Sequence, residues 1–175
     1  MNRRDFVQRA VFGGLAGACV GTFGYTWLVE PHWEMVYRHE LPIRNLPEAL
    51  VGRTMIQLSD IHVGPRVDDA YLLSAFERAS VLRPDIVVIT GDLLTYEQAR
   101  VATQYEHLRR VLAHIPRGAL GTVGILGNHD YGRNWRERDV AAKVVTEAER
   151  AGVHILRNDV ATVGGLDIIG IDELC

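Results

Sequence analysis

Three short apolar runs, at residues 54–59, 85–90 and 120–126, each end in a polar cluster. Asp60 and His62 follow the first, Gly91 and Asp92 the second, and Gly127, Asn128, His129 and Asp130 the third. Segments of helical period separate them. Leu72, Leu73, Phe76 and Ala79 form a stripe within 67–82, with Asp68 and Asp69 near its start. Val101, Tyr105, Leu108, Val111 and Leu112 form another within 99–114. A third helix is predicted over 139–151, and shorter strands over 153–156, 159–163 and 166–171. The run 85–90 is apolar without a break, as expected of a strand buried on both faces. Strand and helix in alternation specify an α/β fold with a largely parallel sheet and helical crossovers. Sheets of this kind collect ligands just beyond the carboxyl ends of their strands. All three polar clusters fall at that end.

The chain has 175 residues, enough for one domain with its own core. Its formal net charge of -3 carries no nucleic-acid-binding signature, which would be a basic patch or stripe. Lys143 is its single lysine. Since nearly every basic residue is arginine, no one Arg is marked out as a phosphate grip. Cys19 and Cys175 lie near opposite ends, and neither a stabilising disulfide nor a Cys-based metal site is expected.

The first fifty residues read as an address and a connection. Asn2-Arg3-Arg4-Asp5-Phe6-Val7 resembles the twin-arginine export signal, and an uncharged, glycine-rich run follows from residue 10 to 29. Residues 1–29 are therefore predicted to be an export signal or a membrane anchor. The protein would then be periplasmic, or held on the inner membrane through residues 10–29. Ala16-Gly17-Ala18 offers a cleavage site, and Cys19 a loose match to a lipidated cysteine. Residues 30–52 read as a linker, because Pro31, Pro42 and Pro47 oppose a continuous helix. Tyr25, Trp27 and Trp33 suit either a membrane interface or packing on the domain that follows, residues 53–175.

The strand-end clusters combine carboxylate, imidazole and amide donors without thiolates, a set suited to Mn²⁺, Fe or Zn²⁺. Asp60 and His62, separated by one residue, are able to turn toward one ion. Two ions about 3.5–4 Å apart need a shared anionic ligand, and Asp92 stands on the middle strand in sequence. Asn128 offers a neutral oxygen to a second ion. Each element is weak alone, since Asp60 also suits a turn cap and Gly91-Asp92 is a common turn pair. The three in order, each after a predicted strand, are far more specific.

These motifs, Asp60-x-His62, Gly91-Asp92 and Gly127-Asn128-His129-Asp130, resemble the first three motifs of the calcineurin-like metallophosphoesterases. The twin-arginine start and Glu30-Pro31 further resemble that family's exported bacterial phosphodiesterases. The resemblance implies an α/β/β/α sandwich, of which this chain is the N-terminal part, and two divalent ions, with Mn²⁺ favoured. It implies that Asp60 and His62 hold the first ion, that Asp92 bridges, and that Asn128 holds the second. It gives His129 the role of proton donor or transition-state stabiliser. Asp130 fits the motif without an assigned role beyond orienting the loop. Arg133 and Arg136, in the loop that follows, are candidate contacts to a phosphate-ester substrate. His32, His39, His107, His114 and His154 match no motif, and His107 and His114 are expected at the helix surface or end.

The family's later Gly-His and Gly-His-x-His motifs do not occur in these residues. Weak metal binding and little turnover are accordingly expected of this segment alone. The function implied is metal-dependent phosphoester hydrolysis, with phosphodiesters as the expected substrates. The alternatives are a nucleotide-sugar lipid pyrophosphatase of the same fold and a non-catalytic truncated product. The segment Leu93-Leu94-Thr95-Tyr96 lacks the aspartate motif that follows in phosphoprotein phosphatases.

Overall fold

A computed structural model describes residues 2–28 and 35–172. Glu30-Pro31, His32, Trp33, Cys175 and the side chain of Trp27 lie outside the described residues. The chain divides into two units, residues 1–41 and 42–175.

The first unit contains α1 (Arg3–Leu28), a helix with its described side chains largely exposed. Its glycines at 13, 14, 17, 21 and 24 dilute the apolar content. Among the described residues no helix is long and apolar enough to cross a membrane. The expectation of a membrane anchor over residues 10–29 thus lacks support from this helix. Cys19 is a free, exposed thiol.

In the second unit, β1 (Met55–Leu58), α2 (Asp69–Val81), β2 (Ile86–Thr90), α3 (Gln104–Leu112), β3 (Gly121–Ile125), α4 (Arg138–Arg150) and β4 (His154–Ile155) alternate. The four strands pair in parallel in the order β1-β2-β3-β4. Neighbouring parallel strands joined by right-handed crossovers, stepping in one direction, place every helix on the same face. The core follows that rule. Val87 and Ile89 point to the helical side, against Leu72 and Phe76 of α2, Leu108 and Leu112 of α3, and Val144 of α4. Ile86 and Val123 point the other way, against Val163 of an antiparallel hairpin, β5 (Asp159–Val163) and β6 (Leu166–Gly170). The unbroken apolar character of β2 therefore reflects burial on both faces. Ile169, on the hairpin, is 70% exposed.

Most element ends agree with the sequence pattern to within a residue or two. The exception is the second helix. Residues 98–100 form a separate 3-10 turn, and α3 starts only at Gln104. Val101 is 38% exposed and does not belong to the buried stripe. His107 also departs from its surface placement. Its Nε2 lies 2.8 Å from Asp69 Oδ1, a half-buried pair joining α3 to α2. Asp68 caps α2 by accepting from the amide of Ala70 at 2.8 Å.

Leu108 is fully buried where α3 meets the sheet. Leu108→Ala is expected to cost about 2–5 kcal/mol in urea unfolding, against less than about 0.5 kcal/mol for exposed Val81→Ala. Equal effects would contradict this core assignment.

Candidate metal centre

The loops after β1, β2 and β3 remain tied together beyond the strand ends. Asp60 N–H donates to Gly91 O at 3.2 Å, His62 N–H to Asp92 O at 2.8 Å, and Val63 N–H to Leu93 O at 2.9 Å. Ile61 and Val63 are buried. Alternation about these two anchors presents Asp60 and His62 on the opposite side. Leu93 and Leu94 anchor the second loop in the same way behind Asp92. β2 lies between β1 and β3, so Asp92 is central in space as well as in sequence.

The third loop is joined to the second by two carboxylates. Asp92 Oδ1 accepts from His129 N–H at 3.0 Å. Asp130, fully buried, accepts from Leu94 N–H at 2.9 Å and from Gly127 N–H at 3.0 Å. Burial pushes the Asp130 carboxyl up to about 6, while the amides of Gly127, Leu94 and Leu93 pull it back toward the charged form. Asp130 is thus the brace of the site. The loops also approach too closely for side chains at two positions. A Cβ on Gly91 would collide with the backbone of Gly127, and a Cβ on Gly127 with the Asp92 carboxylate.

The side chains meet at the rim. His62 Nε2 lies 3.7 Å from Asp60 Oδ1 and 3.6 Å from Asp92 Oδ2. These distances exceed a hydrogen bond and suit donors arranged around a common cation, whose bonds to N and O run about 2.0–2.2 Å. His62, Asp92 and His129 each offer a donor atom within 4.8 Å of the others. Among the described residues neither Asp60 nor Asp92 is paired with an Arg or Lys. The donor set therefore fits a divalent ion. Asn128 lines a cavity of about 420 Å³ together with Asp60, Asp92 and Asp172. Asp60, His62 and Asp92 all hold positive φ, at 54°, 49° and 55°. L-residues adopt this conformation at a cost, and such strain gathers at functional sites.

His129 stands with its ring centroid 4.9 Å from that of His62, edge to face. The predicted catalytic histidine and a predicted ligand are therefore neighbours. Arg133 donates to Gln98 Oε1 at 3.1 Å, and both Arg133 and Arg136 are exposed.

Two features were not evident in the sequence. Thr95 Oγ1 lies 3.3 Å from His62 Nδ1, which leaves Nε2 facing the carboxylates. Tyr131 donates its hydroxyl to Asp172, and Arg157 joins both, at 2.9 Å to Asp172 and 3.0 Å to the Tyr131 oxygen. Burial and Asp172 push the Tyr131 hydroxyl up to about 12. The network fastens the end of the Asn128–Tyr131 turn to the hairpin side of the sheet. Residues so distant in sequence carry no local pattern that would have linked them.

The second unit is similar in sequence to known proteins. The family model for calcineurin-like phosphoesterases matches residues 54–172. A transmembrane protein with metallophosphoesterase domain from Danio rerio is 40% identical over 124 residues, 71% of this chain and 27% of that protein. The uncharacterized metallophosphoesterase YkuE of Bacillus subtilis is 28% identical over 137 residues, 75% of this chain and 46% of its own length. UDP-2,3-diacylglucosamine pyrophosphatase LpxG of Chlamydia trachomatis is 37% identical over 105 residues, 58% of this chain and 30% of LpxG. The chain spans less than half the length of each of these relatives.

Asp130→Ala leaves the buried amide of Leu94 and the half-buried amide of Gly127 without an acceptor, and a loss of about 2–4 kcal/mol is expected in chemical unfolding. Gly127→Ala is expected to displace the Asp92 carboxylate and weaken Mn²⁺ binding at least about tenfold by calorimetry. Wild-type affinity in Gly127→Ala would show that the close approach of the loops does not shape the site.

Proposed function

The chain belongs to the calcineurin-like phosphoesterase family, and from that premise we propose that it forms the metal-holding part of a phosphodiesterase. The observation that carries this reading is the convergence of His62, Asp60 and Asp92 from two adjacent strand ends, with no Arg or Lys neutralising either carboxylate among the described residues. Asp60 and His62 would hold one ion, Asp92 would bridge, and Asn128 would hold the second. Two bound divalent ions supply Lewis-acid activation of the attacking water and of the phosphoryl oxygens. Mn²⁺ suits the mixed carboxylate, imidazole and amide donors.

The chain's own part is positioning and proton transfer. Thr95 restrains the His62 ring, and Asp92 holds the His129 backbone. His129 would donate a proton to the leaving oxygen. Its ring also lies close enough to join His62 and Asp92 around one ion, and the two roles separate experimentally. As an acid, His129→Ala lowers turnover and leaves Mn²⁺ affinity intact. As a ligand, it lowers both.

The likeness to LpxG favours a second reading, cleavage of a pyrophosphate linkage in a nucleotide-sugar lipid. Preference for a nucleoside diphosphate ester over a simple diester would select it. Arg3-Arg4 at the start of a glycine-rich helix supports export by the twin-arginine route. Retention of a reporter fused after residue 41 in the cytoplasm would count against export.

The test of function is hydrolysis of bis(p-nitrophenyl) phosphate by the protein expressed from its intact gene. Turnover is expected to require Mn²⁺, to vanish with EDTA, and to fall about 10²–10⁴-fold in His129→Ala. Asp92→Asn is expected to abolish it. Activity that survives EDTA or Asp92→Asn would overturn the reading.

A further inference from the structure

Beyond His129 the loop at residues 133–135 carries a feature that the metal chemistry does not use. Trp135 leaves half of its surface open to solvent. Its ring centroid lies 6.1 Å from that of His129, with the planes at 62°. The His129 ring thus neighbours both the His62 imidazole and the Trp135 indole. An exposed tryptophan forgoes the burial that usually keeps this residue in a protein.

Its backbone is also held in an unfavourable state. Asn134 and Trp135 have φ of 58° and 60° in succession. Asn tolerates the left-handed region, but a bulky residue there is an outlier. Such strain persists only where the surroundings impose it. Here Trp135 N–H donates to Gly132 O at 3.2 Å, Glu137 N–H to Tyr131 O at 2.7 Å, and Arg133 to Gln98 at 3.1 Å. The loop is fastened on both sides of the tryptophan. Exposure and strain therefore coincide at one residue, beside the histidine assigned to the leaving oxygen.

We propose that Trp135 is an aromatic platform for the substrate's leaving group, and that the substrate is a phosphate ester bearing a flat ring, aryl or heterocyclic. This deepens the phosphodiesterase reading and rests on it. A planar group bonded through oxygen to the phosphorus would extend past His129 toward the open indole. Stacking on an aromatic side chain is sequence-tolerant and strong for any ring with a π-face.

The test compares non-hydrolysable phosphonates binding by calorimetry to the Mn²⁺-loaded protein expressed from its intact gene. Phenylphosphonate is expected to bind about tenfold more tightly than methylphosphonate. Trp135→Ala is expected to remove that preference while leaving methylphosphonate affinity within about twofold, and Trp135→Phe to keep most of it. Hexylphosphonate, apolar without a ring, is expected to gain less than phenylphosphonate. Equal binding of phenyl- and methylphosphonate to the wild type overturns the platform and leaves the metal site standing. A preference that survives Trp135→Ala, or a hexyl gain equal to the phenyl gain, also overturns it. Failure of methylphosphonate itself to bind overturns the platform together with the phosphoesterase reading beneath it.

Discussion

The buried carboxylate of Asp130 is the contact on which the candidate site depends. It accepts from Leu94 on the second strand-end loop and from Gly127 on the third, and so fixes the separation between Asp92 and the Asn128-His129 pair. Burying a charge is costly unless amides satisfy it; burial pushes this carboxyl up, and the amides of Gly127 and Leu94 pull it back toward the charged form. The sheet supplies the rest of the frame. Parallel pairing of β1, β2 and β3 sets the three loops side by side, and backbone bonds continue past the strands to lock the first loop to the second.

The same frame accounts for the strained residues. Asp60, His62 and Asp92 carry positive φ because the loops must turn sharply to bring the donors inward while Ile61, Val63, Leu93 and Leu94 stay in the core. Core burial of these four residues holds the unfavourable conformation in place. Stability is thereby converted into preorganisation, and few rearrangements are left for a cation to impose.

Much of this was legible in the residues themselves. The alternation of apolar runs and helical stripes specifies the parallel sheet, since period and run length are local properties. The polar clusters at the strand ends point to the site, because fold geometry converges those ends whatever the chemistry. The second helix starts five residues later than the spacing predicts, since Val101 continues a helical spacing that the chain breaks with a 3-10 turn at Gln98–Arg100. Contacts made only by folding were not legible. The Tyr131, Arg157 and Asp172 network joins residues up to 41 positions apart, and the His107–Asp69 pair spans 38. The role of Asp130 was left open for the same reason. Its partners are main-chain amides, which leave no trace in composition or spacing. The strain at Trp135 depends on backbone torsions that no residue pattern announces.

The central claim is that the strand-end loops hold a divalent cation at Asp92. It is tested most directly by anomalous diffraction from crystals of the chain grown with Mn²⁺. The account expects a manganese peak in contact with the carboxylate of Asp92 and the imidazole of His62, lost in crystals of Asp92→Asn. A peak elsewhere, or one that persists at the same place in Asp92→Asn, would contradict it.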